Sequence, residues 1–262
     1  MATAVPRIAE LTAPAAWRTV DFISDLHLQA SEPATFAAWH AYMSGTSADA
    51  VFILGDLFDV WVGDDAVDGD PSGFDASCAQ VLQKTGERLA LYVMHGNRDF
   101  LAGPALMARC RGTLLDDPTL LDFAGQRWLL SHGDALCLDD VDYMRFRGEV
   151  RSAAWQQAFL GKPLAERQAI AQGLRRQSRA QHEKRRLSGE TYIDVNAGAA
   201  RQWLQAAGAA TLIHGHTHQP AVHQLGDDLQ RVVLSDWDAA ATPPRLEVLR
   251  LAATGLQRLP LG

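Results

Sequence analysis

Five short apolar segments recur along the chain, and each runs directly into polar side chains. The clearest is Val51-Phe52-Ile53-Leu54, which ends at Gly55 and Asp56. A short run of branched and aromatic residues bounded by a glycine predicts a buried strand. Taken alone, Asp56 is at least as well explained as the N-terminal capping residue of a following helix. The carboxyl ends of buried parallel strands are also where open α/β sheets place their ligands, so Asp56 is a candidate site residue.

The other four segments repeat this arrangement at different places in the chain. Their strand-like runs are followed by Asp25 and His27, by Asn97, by His132, and by His216 and His218. Residues two apart in an extended chain point to the same side, so Asp25 and His27 can reach a single ion. One such pair is weak support for a site. Five strand ends that carry metal-ligand side chains predict that the ends meet.

The segments between these strands have helical or hairpin patterns, and the whole alternation predicts an α/β fold. Apolar residues at helical spacing predict helices over Pro33–Ser44, Leu101–Cys110 and Ala197–Ala207. Glycine-linked apolar runs predict a hairpin of Leu120–Phe123 with Arg127–Leu130, and closing strands at Gln230–Leu234 and Arg245–Leu251. The acidic stretch Asp64–Asp75 lacks the distal bidentate acid of a calcium loop, so it is predicted to be a solvated loop.

After residue 140 the strand pattern gives way to helical periodicity. Residues 141–190 are therefore predicted to form a helical cap inserted into a single domain of residues 1–262. The cap is basic: Arg145–Arg186 contains 11 Lys and Arg and 3 Glu, a balance of +8, whereas the whole chain carries −7 and the remainder therefore −15. Such a stretch is either a solvated helical face or a surface that faces an anion or a membrane.

Composition narrows the class of protein further. The chain of 262 residues is 47% hydrophobic but contains no apolar run near the roughly 20 residues that cross a bilayer. Its start is not a secretory signal. Three distant cysteines without a C-x-x-C pair argue against disulfides and favour a reducing cytoplasm. The net charge of −7 argues against a general nucleic-acid binder.

The side chains at the strand ends define a donor set for metal ions. These are Asp25, His27, Asp56, Asn97, His132, His216 and His218. Seven such side chains suit two divalent cations if Asp56 bridges them, and the absence of thiolate favours Mn²⁺ over Fe²⁺, Zn²⁺ or Co²⁺. Two metals about 4 Å apart can activate a bridging water and stabilise charge on a phosphoryl oxygen. The alternative is a set of unrelated helix caps and core histidines.

The order of the motifs resembles that of the calcineurin-like metallophosphoesterases: D-x-H, G-D, G-N-R-D, H-G-D and G-H-T-H, between Asp25 and His218. The resemblance implies a four-layer α/β/β/α sandwich with two metals at the strand ends. One metal would be held by Asp25, His27 and His218, the other by Asn97, His132 and His216, with Asp56 shared. His214 is not a ligand in that pattern.

One departure from the general family pattern narrows the resemblance. Arg98 stands where the pattern has histidine. Arginine stays protonated, so it cannot act as a general acid, but it can clamp phosphate oxygens. The longer motifs, among them H-G-N-R-D-F and H-G-H-T-H-Q-P, are similar to those of the branch that cleaves UDP-2,3-diacylglucosamine in lipid A biosynthesis of Gram-negative bacteria.

For this branch the resemblance implies manganese-dependent attack of water on the α-phosphorus, with Asp56 and Arg98 in catalytic roles. The products would be UMP and 2,3-diacylglucosamine 1-phosphate, also called lipid X. The helical cap would then receive the acyl chains. Its basic stretch would place the protein peripherally on the cytoplasmic face of the inner membrane.

The resemblance also implies the substrate contacts. These are Asn97, Arg98, Asp140, Ser178, His182, Arg185 and His216. Lys184 is an alternative to Arg185, and for each residue of the helical cap a solvated helix face is an equal alternative. Two other functions remain open: a metallophosphoesterase acting on a phosphoprotein or a cyclic nucleotide, and a non-catalytic lipid-binding scaffold that keeps the fold.

Overall fold

The computed structural model describes residues 5–188 and 193–261; of the side chains on its longest helix, 179 and 181–188 are outside the description. The described strands form two six-stranded sheets. They are β1 Ala9–Thr12, β2 Thr19–Ile23, β3 Ala50–Leu54, β4 Ala90–Met94, β5 Gly112–Leu115, β6 Thr119–Phe123, β7 Gln126–Ser131, β8 Thr211–His214, β9 Val222–Gly226, β10 Leu229–Val233, β11 Glu247–Ala252 and β12 Gly255–Pro260.

Both sheets are mixed, and each contains parallel strands that end at the same edge. The first sheet has the order β12-β11-β2-β3-β4-β5, in which β2 to β5 are parallel. The second has the order β1-β6-β7-β8-β10-β9, in which β7, β8 and β10 are parallel. The predicted hairpin is present as the antiparallel pair β6 and β7.

Helices connect the strands and form the outer layers. They are α1 Pro33–Gly45, α2 Ala66–Gly69, α3 Phe74–Gly86, α4 Pro104–Cys110, α5 Val141–Val150, α6 Ala153–Leu160, α7 Leu164–Ser188 and α8 Ala197–Ala207. A single turn of 3₁₀-helix spans Asp134–Leu136.

The period-two pattern of β3 explains how the layers stack. Phe52 and Leu54 point into the apolar core between the two sheets. Val51 and Ile53 point the other way, into the core beneath α1, α3 and α4. A third core lies between the outer face of the second sheet and α8, which contributes Trp203. The order of layers is helix, sheet, sheet, helix, so the predicted α/β sandwich is confirmed.

The stretch Asp64–Asp75 differs from the solvated loop predicted for it. It contains α2 and the first residues of α3, and Val67 is buried. Asp64 accepts hydrogen bonds from the backbone N–H groups of Gly103 (2.9 Å) and Leu106 (2.9 Å), so its carboxylate caps the start of α4. Asp64 therefore serves a helix terminus, a role that local polarity does not reveal.

The pattern also failed to predict α3 and four strands, β1, β5, β9 and β12. The buried face of α3 includes the small side chains of Ala76, Cys78 and Ala79, which leave a weak apolar signal. The unpredicted strands lie at the edges of the two sheets, where one side of each strand has no neighbour.

Helices α5 to α7 occupy the stretch for which the helical cap is predicted, and arginines tie these helices to the sheets. Arg147 donates to Asp134 (2.8 Å), and Arg151 donates to the carbonyl oxygen of Gly96 (2.8 Å). Arg167, which is nearly inaccessible, pairs with Asp65 through both terminal nitrogens. Both explanations considered for the basic stretch placed its charges outward, whereas these arginines point inward. No helix of the described ranges has the length and apolar character that crossing a membrane requires.

Candidate active site

The ends of five strands converge where the two sheets meet. Nδ1 of His132, after β7, donates to the carbonyl oxygen of Leu54 at the end of β3 (2.9 Å). The backbone N–H of Asp25 donates to the carbonyl oxygen of Gly55 (3.1 Å). The first bond joins the two sheets, and the second joins the chain ends that follow β2 and β3 within one sheet.

The first group of candidate ligands consists of Asp25, His27 and His218. One atom from each lies within 4.8 Å of the others. Nε2 of His27 and Nε2 of His218 are 3.1 Å apart, and Nε2 of His218 is 3.2 Å from Oδ1 of Asp25. Oδ2 of Asp25 accepts from the hydroxyl of Ser24 (2.6 Å) and the backbone N–H of His216 (2.9 Å). These bonds leave Oδ1 directed toward the histidines.

The second group adjoins the first and contains Asp25, Asp56 and His132, again within 4.8 Å. Oδ1 of Asn97 lies 3.0 Å from Nε2 of His132 and 2.8 Å from Nδ1 of His216. Asp56 lies between the groups, since its Oδ1 is 3.8 Å from His132 and its Oδ2 is 3.8 Å from Nδ1 of His27. The structure thus brings all seven candidate side chains together.

The backbone at this site is unusual. Of the described non-glycine residues, nine have positive φ, and five of these are candidate ligands: Asp25 (53°), His27 (47°), Asp56 (53°), His216 (67°) and His218 (52°). Each such residue costs roughly 1–2 kcal/mol, which the surrounding packing must supply. Strain of this kind gathers at functional sites, because the required side-chain directions differ from those of regular elements.

Two glycines permit the close approach of these side chains. Gly55 has φ of 89°, and a Cβ there would lie 2.4 Å from Nδ1 of His132. A Cβ on Gly96 would lie 2.1 Å from Oδ1 and 2.2 Å from the backbone nitrogen of Asp56. The φ of Gly96 is not in the left-handed region. Its requirement is space for Asp56.

Burial raises the pKa of a carboxyl group, so the carboxylates of the site depend on nearby positive charges to stay ionised. It raises the pKa of Asp56 to about 6 even though His132 and Arg98 act in the opposite direction. Burial also favours the neutral form of Asp25, but His218 and other histidines outweigh it and hold the pKa of this carboxyl well below its ordinary value. For His132, burial opposes protonation, yet Asp56 and Asp25 raise its pKa to about 9.

Two other imidazoles are neutral and can offer lone pairs. Burial lowers the pKa of His216 to about 3, with a further contribution from His132. Burial and the positive charge of Arg98 hold the pKa of His27 well below its ordinary value. Nδ1 of His27 is buried and has no hydrogen-bond partner among the described side chains. Carboxylate oxygens, neutral imidazole nitrogens and an amide oxygen in one cluster fit divalent cations.

The predicted substrate contacts divide into three sets. Arg98 borders the cluster: its Nη1 donates to Oδ1 of Asp59 (2.6 Å), and its Nε is 3.4 Å from Oδ2 of Asp56. Asp140 lies at the start of α5, where it accepts from the backbone N–H of Tyr143 (3.2 Å), and Ser178 is half-buried on α7. The side chains of His182, Lys184 and Arg185 lie outside the described part of the chain.

Several residues beside the cluster were not predicted to matter. Asp134 is buried and accepts from the hydroxyl of Tyr143 (2.6 Å), whose ring stacks on His216 with centroids 6.0 Å apart. His214 is buried near Arg231, which pairs with Asp194 through both terminal nitrogens. The H-G-D motif at residues 132–134 ends in Asp134 and could have identified this residue from the sequence.

Comparison with known proteins agrees with this fold. Residues 18–220 match the family model described as calcineurin-like phosphoesterase. The chain therefore belongs to the calcineurin-like phosphoesterase family. It is 48% identical to the UDP-2,3-diacylglucosamine hydrolase of Chromobacterium violaceum, over 93% of this chain and 99% of that protein.

Two further relatives carry the same name. The UDP-2,3-diacylglucosamine hydrolase of Aromatoleum aromaticum is 47% identical, over 82% of this chain and 88% of that protein. That of Pseudomonas aeruginosa is 42% identical, over 84% and 91%. Within the phosphoesterase family, this chain groups with these hydrolases over most of its length.

Proposed function

We propose that this protein hydrolyses the pyrophosphate bond of UDP-2,3-diacylglucosamine and releases UMP and 2,3-diacylglucosamine 1-phosphate, a step of lipid A biosynthesis. The observation that carries the proposal is the cluster of seven metal-ligand side chains, with buried carboxylates at Asp25 and Asp56 and with Arg98 at its border. The shared name of the three relatives supports this substrate over a phosphoprotein, a cyclic nucleotide or a non-catalytic role.

The cluster would hold two divalent cations, which we propose to be Mn²⁺. Asp25, His27 and His218 would bind one ion, Asn97, His132 and His216 the other, and Asp56 both. The absence of thiolate from the donor set supports manganese. Bound ions would supply a water of lowered pKa and stabilise the charge that develops on phosphoryl oxygens.

The side chains around the ions orient the diphosphate. In the reaction a water oxygen bonds to the α-phosphorus, and the bond to the bridging oxygen breaks with its electron pair going to 2,3-diacylglucosamine 1-phosphate. This leaving group is a phosphate that needs little protonation, which suits an arginine in place of a histidine acid. Arg98 would donate hydrogen bonds to phosphoryl oxygens, and its backbone N–H (2.8 Å from Oδ1 of Asp56) keeps that carboxylate in place.

The helical cap would bind the glucosamine and the acyl chains. We assign substrate contacts to Asn97, Arg98, Asp140, Ser178, His182, Arg185 and His216. Among the described residues, the exposed large apolar side chains include four on the cap: Val141, Phe146, Leu160 and Leu174. Apolar side chains exposed beside a basic stretch support peripheral attachment to the cytoplasmic face of the inner membrane.

Direct assay of the purified protein tests this function. With Mn²⁺ it should release UMP from UDP-2,3-diacylglucosamine, and Asp56→Ala should lose bound metal and turnover together. Asp68→Ala is the matched control, because it removes an exposed carboxylate that pairs with Arg109 away from the cluster. Failure of the parent protein to release UMP while it cleaves simple phosphodiesters would refute the substrate. Normal turnover by Asp56→Ala would refute the metal mechanism.

A further inference from the structure

The carboxylate of Asp59 joins the metal cluster to the helical cap. Its Oδ1 accepts from Nη1 of Arg98 (2.6 Å) and from Nη2 of Arg175 (2.6 Å), and its Oδ2 is 3.3 Å from Nε of Arg175. Arg98 follows β4 in the body of the protein, whereas Arg175 lies on α7 of the cap. The two arginines are therefore held side by side by one carboxylate from the loop after β3.

The position of this carboxylate has a local cause. Leu28 and Phe58 form an isolated parallel bridge, and the backbone N–H of Asp59 donates to the carbonyl oxygen of Leu28 (3.2 Å). This pairing extends the contact between the chain after β2 and the chain after β3 past Asp56. As a result, Asp59 is held by the same loop after β3 that carries Asp56, the candidate bridging ligand.

Burial distinguishes this contact from an ordinary surface ion pair. Asp59 is 7% exposed, and the side chains of Arg98 and Arg175 are 20% and 19% exposed. Side chains this sheltered from water interact more strongly than exposed ion pairs, and each remaining charge is costly if its partner is removed. Two guanidinium groups this close would repel one another without the carboxylate.

Arg98 also borders the cluster of candidate ligands. Nε of Arg98 is buried without a hydrogen-bond partner among the described residues and is 3.4 Å from Asp56. The guanidinium of Arg98 is thus oriented by Asp59 at one end while the other borders the candidate bridging ligand.

We propose that Asp59 is a positioning residue that orients Arg98 toward the diphosphate and holds α7 of the helical cap over the metal cluster through Arg175. This inference rests on the proposed function and adds a dependence of that function on one carboxylate that is neither a metal ligand nor a substrate contact. Without Asp59, Arg98 loses its orientation and α7 loses a tether at the same time.

The test compares Asp59→Asn with the parent protein in four measurements. The variant keeps the size of the side chain and removes its charge, and misplacement of Arg98 should lower kcat/KM for UDP-2,3-diacylglucosamine by about 10²-fold. Bound metal should stay at the parent level. Turnover of bis(p-nitrophenyl) phosphate, which needs Arg98 but lacks acyl chains for the cap, should fall less than that of UDP-2,3-diacylglucosamine. In hydrogen exchange, residues 168–178 of α7 should exchange faster than in the parent. Asp68→Asn is the matched control and should leave all four readouts unchanged.

A double-mutant cycle tests whether the loss of activity in Asp59→Asn is transmitted through Arg175. If Asp59 acts through Arg175, Asp59→Asn should cost less in an Arg175→Gln background than in the parent protein. Parent-like kcat/KM together with parent-like exchange would overturn the inference, and so would loss of metal from Asp59→Asn. If the parent itself releases no UMP, the proposed function fails, and the exchange of α7 in Asp59→Asn still decides whether the tether exists.

Discussion

The substitution Gly96→Ala tests how tightly the cluster is packed. A Cβ at residue 96 would lie 2.1 Å from Oδ1 and 2.2 Å from the backbone nitrogen of Asp56. Since ordinary contact begins near 3.4 Å, the methyl group and Asp56 must separate by about 1.3 Å. The backbone nitrogen cannot rotate away as a side chain could. The strand end that carries the candidate bridging ligand must therefore move.

The size of the effect follows from that displacement. Overpacking a well-packed interior costs about 1–3 kcal/mol of folding stability. A misplacement of about 1 Å in reacting groups costs about 10²-fold in rate, equivalent to about 3 kcal/mol in the activation free energy. Because Asp56 lies between both ligand groups, we expect Gly96→Ala to weaken metal binding as well as turnover.

The measurements are metal content after purification, UMP release with added Mn²⁺, and thermal unfolding without metal. Gly45→Ala is the matched control, since nothing lies within 4 Å of a Cβ at that position at the end of α1. The control should keep metal, turnover and stability. A folded Gly96→Ala protein with full metal content and parent-like turnover would refute the packing argument.

Three further predictions concern other contacts. Arg98→Ala should lower turnover about 10²-fold while metal content stays unchanged, because it removes a hydrogen-bond donor to the phosphoryl group rather than a ligand; loss of metal in elemental analysis would contradict that role. Asp21 is fully buried and accepts from Nε (2.7 Å) and Nη2 (2.8 Å) of Arg250. Asp21→Ala should therefore lower the free energy of unfolding in urea by about 3 kcal/mol, and a parent-like midpoint would refute this. Although burial raises it, hydrogen bonds from Arg231 and the backbone hold the pKa of Asp194 below its ordinary value. The ionised carboxylate therefore stabilises the folded state above about pH 4, and this stabilisation is lost as the pH falls through the lower pKa of the folded state. Asp194→Asn should then lose less stability on acidification than the parent protein. An equal loss of stability would contradict a lowered pKa of Asp194.

Local pattern was enough to predict the fold class and the strands that form the centre of each sheet. The run before Asp56 is apolar at every position, because β3 is covered on both faces. That property belongs to consecutive residues and is visible without knowledge of their neighbours. Edge strands and α3 were missed because their burial is partial or depends on small side chains.

The types of candidate ligand were also readable from the sequence, since each follows an apolar run. Their mutual arrangement was not. Positive φ at Asp25, His27 and Asp56 arises because contacts from both sheets direct these side chains to one point. The comparisons with relatives support the enzyme class, whereas the metal-ligand assignments stay predictions for the assays above.

What the sequence by itself determined is the class of fold, the positions of the central strands along the chain and the chemical character of the side chains at their ends. Only the tertiary structure decided which charges meet. Asp59 carried no motif, yet it pairs with Arg98 and Arg175, which lie 39 and 116 residues away along the chain. The basic stretch of the helical cap likewise faces the buried carboxylates of Asp134 and Asp59 as well as solvent. Ion pairs depend on distance in space, and that distance is set by the packing of whole layers rather than by any local pattern of residues.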